Sequence, residues 1–177
     1  MGQYYKVIIL SDNKIKKEII RAWLCPYSYM NGSKLMEHSY IGNNYIQALE
    51  HLISPEGMFY MSRIVWAGDY ADEEEDMTSN LYSICIDKPN LQLYPNSGDT
   101  TCYHYIINHT QKLYIDKEYI GQSDIHPLPL LLSEGNGRGG GDYDGNNIEL
   151  CGTWVKNIIS FEKEFPIDYD ELICNFI

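Results

Sequence analysis

Basic residues are scarce: 13 Lys and Arg stand against 25 Asp and Glu, for a formal net charge of −12. A field of that sign repels a phosphate backbone and excludes wrapping of duplex DNA or long RNA, which takes clustered Lys and Arg. It leaves room for a short nucleotide, a cationic ligand or a basic protein partner. Paired cysteines are also missing. Cys25, Cys85, Cys102, Cys151 and Cys174 are scattered, odd in number and form no CxxC, a pattern of reduced thiols and not of a disulfide framework or zinc site. No apolar run is long: Leu128–Leu132 is broken by Pro129 and is far too short to span a bilayer. The stretch Met1-Gly2-Gln3-Tyr4-Tyr5-Lys6 lacks the basic and apolar regions of a signal peptide. The expectation is an intracellular, cytoplasmic chain with no membrane partner.

Catalytic signatures are absent as well. No Gly-Lys-Ser/Thr, G-x-S-x-G or HExxH occurs, and the five His, including His104, His109 and His126, show no ligand spacing. Ser123, Asp124 and His126 can be assembled into a triad on paper, but nothing in their spacing demands it. No catalytic residue, metal ligand or cofactor is assigned.

What the chain does have is the composition of a folded protein. Its 177 residues are 44% hydrophobic and 21% charged, enough for one domain or two small half-domains sharing a core. Sixteen Tyr and three Trp mean that much of the apolar surface carries a polar handle needing a partner. Tyr4–Leu10 reads as a strand, and Ile15–Leu24 as a second strand or a short helix. Pro26–Ser33 reads as a loop and Lys34–Tyr40 alternates like a short strand. Asn43–Ile53 is the clearest helix, with an Asn cap and an apolar stripe of Tyr45, Ile46, Leu49, Leu52 and Ile53. Met58–Ala67 reads as a buried strand and Gly68–Asn80 as an acidic loop. In the second half, Cys102–Asn108 and Lys112–Lys117 form a hairpin, Leu128–Ser133 a helical turn or two, Thr153–Glu162 a strand and Tyr169–Phe176 a short helix.

The fold class expected is α+β: a mainly antiparallel sheet with helices packed on one face. Each half runs hairpin, linker, helix, glycine turn, strand, which suggests a single compact domain over 1–177 built as pseudo-repeat halves, 1–88 and 100–177.

Five segments carry a resemblance: Met1-Gly2-Gln3-Tyr4-Tyr5, Lys34-Leu35-Met36-Glu37, Gly68-Asp69-Tyr70-Ala71-Asp72, the glycine-rich run Gly135–Asp142, and Gly152-Thr153-Trp154. Together they resemble a family of uncharacterised proteins from actinobacteria, phages and large DNA viruses. The resemblance implies kinship and no chemistry, with a host's cytoplasm as the location for a viral chain. Shorter family members look like a single unit carrying both the third and fourth motifs, which implies that these two lie against each other here.

Gly135–Asp142 can form an anion-binding nest, and Arg138 adds a planar fork suited to phosphate or carboxylate. It formally satisfies G-x-G-x-x-G at Gly135, Gly137 and Gly140, but follows helical residues where a dinucleotide fingerprint follows a strand. The alternative is a structural loop with Arg138 clamped onto Asp69 or Asp72. Trp66 and Trp154 could present stacking faces, with Asp69, Asp72 or Asp142 reading a base edge; packing in the core is the other use of both. The candidate ligand-binding residues are Trp66, Asp69, Tyr70, Asp72, Asn136, Gly137, Arg138, Gly139, Gly140, Gly141, Asp142, Tyr143 and Trp154. The function expected is recognition of a nucleotide-like ligand, such as an mRNA 5′ cap, without catalysis. The alternatives are a virion-associated or protein-interaction module, and a metal-dependent hydrolase or transferase using Asp69, Asp72 and Asp142.

Overall fold

The computed structural model describes residues 3–12, 17–92, 100–120, 123–135 and 139–177. Among them, eight strands form one mainly antiparallel sheet accompanied by short helices, an α+β fold. The apolar run Tyr5–Leu10 is β1, flanked antiparallel by β2 (Ile20–Leu24) and β3 (Ser62–Gly68). A second antiparallel group joins β4 (Tyr105–Asn108), β5 (Leu113–Asp116) and β7 (Ile158–Glu162). The groups meet where Ser62 and Arg63 of β3 pair with Ile159 and Ile158 of β7. Two short strands add parallel pairs: β6 (Ser133–Glu134) on β3 and β8 (Asp170–Glu171) on β5.

β1 and β3 are apolar on both faces, so each face of that half of the sheet needs a cover. Tyr5, Val7 and Ile9 point to one side with Ile64 and Trp66. That side packs against α2 (Asn44–Leu52) and α4 (Pro127–Leu131). Ile8 and Leu10 point to the other with Val65 and Ala67, where Leu81 of α3 (Leu81–Ile84) and Cys85 close over them. Helices therefore cover both faces of this half, not one as the pattern suggested. The continuous burial of β1 and β3 is the reason.

α2 forms as its sequence dictates. Asn43 Oδ1 accepts the Tyr45 N–H at 2.8 Å and caps the helix. The Tyr45 hydroxyl then accepts the Val7 N–H and donates to the Leu24 carbonyl, each at 2.9 Å, tying the helix to β1 and β2. Lys34–Tyr40 is not a strand. Residues Leu35–His38 form α1, because the Glu37 carboxylate accepts the Lys34 N–H at 2.9 Å and Asp142 accepts the Met36 N–H at 3.0 Å. Tyr169–Phe176 is not a helix either. Its backbone runs extended along β5, with the Leu172 N–H donating to the Tyr114 carbonyl at 2.8 Å. The strand expected over Thr153–Glu162 begins only at Ile158, after turns that put Lys156 in the left-handed region at φ 61°.

The strand order β2-β1-β3-β7-β4-β5 has the same sense from either end of the β3–β7 junction. In each half a hairpin, a helix and a returning strand follow one another. The likeness is one of element order; it does not by itself show duplication, and among the described residues β6 and β8 have no counterparts in the first half. No helix among the described residues is long and apolar enough to cross a membrane.

Candidate functional site

The glycine-rich segment and the Gly68–Asp72 loop meet on Tyr5. Tyr5 pairs with Gly68 at the end of the β1–β3 ladder, and Glu134 pairs with Ala67 beside it. A Cβ placed on Gly141, which sits at φ 54°, would lie 2.7 Å from Tyr5 Cε2. One placed on Gly135 would lie 2.8 Å from the Tyr5 hydroxyl and 2.2 Å from Gln3 Oε1. These glycines let the backbone lie on the ring. The Gly140 N–H donates to Ser133 Oγ at 2.8 Å, and Gly139 lies against the Ser133 carbonyl. Burial, then the nearby charges of Asp142 and Asp69, push the Tyr5 hydroxyl far above its usual range, so it stays protonated.

The acidic residues of both motifs hold backbone. Asp69 Oδ1 accepts the Tyr4 N–H at 2.9 Å, while Asp142 caps α1. Asn80 donates to the Asp69 and Ala71 carbonyls at 3.0 Å each and closes the acidic loop. Tyr70 and Asp72 are exposed. Tyr143 is buried, its hydroxyl donating to the Asn146 carbonyl at 2.5 Å and accepting the Ile177 N–H at 3.2 Å. Asn136, Gly137 and Arg138 lie outside the described residues, and with them the proposed Arg138 clamp.

Neither tryptophan offers a face to a ligand. Trp66 is 0% and Trp154 1% exposed, each within the core. The Trp66 indole N–H donates to His38 Nε2 at 2.9 Å, and His38 Nδ1–H in turn reaches the Gly32 carbonyl at 3.0 Å. Burial pulls His38 down to about 4, so the ring is a neutral acceptor. The polar handle of Trp66 is thus satisfied inside the fold.

A cleft of about 340 Å³ opens elsewhere, lined by Ile41, Gly42, Gln47, Glu50, Thr100, Thr101, His104, Lys117 and Glu118. Its floor is a buried ionic group. The Glu50 carboxylate accepts from Lys117 Nζ at 2.8 Å on one oxygen and from His126 Nε2 at 3.1 Å on the other. The Glu50 side chain is 2% exposed and that of Lys117 13%. His126 Nδ1 accepts the Leu128 N–H at 3.3 Å, which leaves the proton on Nε2 to face Glu50. Burial pulls His126 down, keeping it neutral. Burial alone would push Glu50 up, but the His126 and Lys117 bonds and charges outweigh it and hold the carboxyl low. An anionic Glu50 and a neutral His126 follow.

Sequence reasoning missed this group. One signal was there: Glu50 interrupts the apolar stripe of α2, one position after Leu49 and four after Ile46, where an unpaired carboxylate cannot remain. Its partners sit far away, Lys117 just after β5 and His126 at the cap of α4. The triad drawn from Ser123, Asp124 and His126 does not assemble, since Ser123 donates to the Phe176 carbonyl and His126 to Glu50. A different Ser–His pair does exist: Ser160 Oγ lies 2.7 Å from His109 Nε2 and donates to Glu162 at 2.9 Å. Ser160 is fully buried, so the pair is closed to a substrate. Among the described residues, no group of three or more His, Cys, Asp or Glu is placed to hold a metal ion.

In comparison with known proteins, the chain matches no family model, no curated protein and no solved structure.

Proposed function

We propose that this protein is a non-catalytic recognition module for a small nucleotide-like ligand, held in the cleft above Glu50 and Lys117. The observation that carries the reading is the Lys117–Glu50 pair lining the cleft, with His126 buried behind Glu50. A buried ion pair gives little net stability compared with apolar residues of the same volume, so its presence calls for another use. Here Glu50 fixes the Lys117 ammonium, which spends one of its three donors on the carboxylate and lies 5.5 Å from the Phe161 ring centroid; on this reading a remaining donor serves the ligand. Thr100, Thr101 and Gln47 add polar groups to the same walls, and Ile41 an apolar patch. A volume of about 340 Å³ is at the small end of ligand sites, right for a nucleoside-sized molecule.

Two features support recognition without catalysis. His126 is wholly buried and both Glu50 oxygens are engaged, so neither is presented to a substrate as acid or base. The reading includes a cytoplasmic location, supported by Cys25, Cys85 and Cys174 standing as free thiols. The test is a thermal-shift and calorimetric screen of nucleosides, nucleotides and methylated cap analogues against wild type and Lys117→Ala. Stabilisation of wild type that the variant loses is the expected result. No stabilisation by any of these compounds would overturn the reading.

A further inference from the structure

On the reading that the cleft binds a nucleotide-like ligand, we infer that its floor selects an uncharged or cationic ligand group bearing a carbonyl or ring-nitrogen acceptor, and discriminates against a phosphate. Among the described residues lining the cleft, Lys117 is the only Lys or Arg. Its charge is already balanced by Glu50 at 2.8 Å, so the floor is close to electrically neutral. The rim adds a further negative charge at Glu118, and the whole chain carries −12. An anion entering here meets a cation already paired, the exposed carboxylate of Glu118 and a repelling field. The N-terminus of α2 lies near the lining residue Gly42, but Asn43 already takes its Tyr45 N–H.

What the floor does offer is hydrogen-bond donation without net charge. The Lys117 ammonium donates to Glu50 at 2.8 Å and stands 5.5 Å from the centroid of the Phe161 ring, and its donor capacity beyond the carboxylate suits a neutral acceptor. Glu118 at the rim would favour a cationic base over a neutral one. Glu50 therefore acts as the specificity residue by cancelling the charge of Lys117, without touching the ligand. The same Lys without its partner would bind phosphate, as lysines elsewhere do.

Calorimetric titration of the full chain tests this, using guanosine, 7-methylguanosine and guanosine 5′-monophosphate at low and at physiological salt. In wild type the two nucleosides are expected to bind about tenfold or more tightly than the monophosphate, the gap narrowing as salt screens the carboxylates. Glu50→Gln is expected to reverse the order by raising monophosphate affinity. Glu118→Gln, at an exposed position with no load on the fold, is expected to narrow the gap by a smaller factor and to weaken 7-methylguanosine selectively. A monophosphate that binds wild type as tightly as guanosine, or more so, would overturn the inference while leaving the cleft as the ligand site. If none of the three compounds binds, the cleft reading fails and the inference fails with it.

Discussion

Asp142 Oδ1 accepts the Met36 N–H at 3.0 Å, across 106 residues of sequence. The last residue of the glycine-rich run is thus a helix cap for α1, and its carboxylate is committed to backbone. Asp142→Ala is expected to lower stability by about 1 kcal/mol, the usual worth of such a cap, with Asp142→Asn keeping most of it. Urea melts of the three proteins check this. An alanine variant as stable as wild type would return Asp142 to the list of ligand residues.

Gly141 is committed in the same way to the Tyr5 ring. Its positive φ and the 2.7 Å approach that a Cβ would make to Tyr5 both oppose a side chain. Gly141→Ala should cost about 2 kcal/mol, combining backbone strain with overpacking. In a Tyr5→Leu background the packing part of the loss should shrink, which a double-mutant cycle measures.

His38 makes stability depend on pH. Its folded value, about 4, lies below the ordinary 6.5, so the unfolded chain binds the proton first as pH falls. The contribution is fully present above pH 6.5 and is lost progressively between 6.5 and 4, up to about 3 kcal/mol in total. His38→Gln should start less stable at pH 7 and lose less on acidification. A variant losing as much as wild type between pH 7 and 4.5 would move the acid sensitivity to other groups.

A second buried ionic cluster fastens the acidic loop. Lys156 Nζ contacts both Glu74 oxygens, at 2.8 and 2.9 Å, and lies 3.6 Å from Glu134, whose other oxygen is buried without a partner among the described residues. Burial raises Glu134 toward the neutral form. Lys156→Met would leave two carboxylates facing each other and should destabilise by about 2 to 3 kcal/mol at neutral pH. Adding Glu134→Gln should recover part of that loss. Thermal melts at pH 7 decide the matter, and absence of recovery would show that the carboxylates do not interact.

What the sequence made legible is what its own neighbourhood decides. The cap at Asn43 and the stripe of α2 are local, as is the β4–β5 hairpin, where Asn108 Oδ1 accepts the Thr110 and Gln111 N–H groups at 3.0 Å each. The failures share one cause, partners from distant parts of the chain. α1 needs Asp142, the Tyr169–Phe176 segment is held extended by β5, and Trp66 is withdrawn into the core by His38. The cleft follows the same rule. Glu50 was visible as a misplaced carboxylate on an apolar stripe, but no local pattern ties it to Lys117 or His126.

That dependence has a consequence for how the protein is made. The outer edge of β3 is completed by β6 and β7, and Glu50 finds its partners only at Lys117 and His126. The first 88 residues alone therefore lack the strands that complete β3 and the partners that hold the Glu50 carboxylate. A chain ending there is expected to fold less completely than the whole and to be more prone to misassembly. Completion of the fold and completion of the cleft floor are then one event, so a truncated chain should have neither.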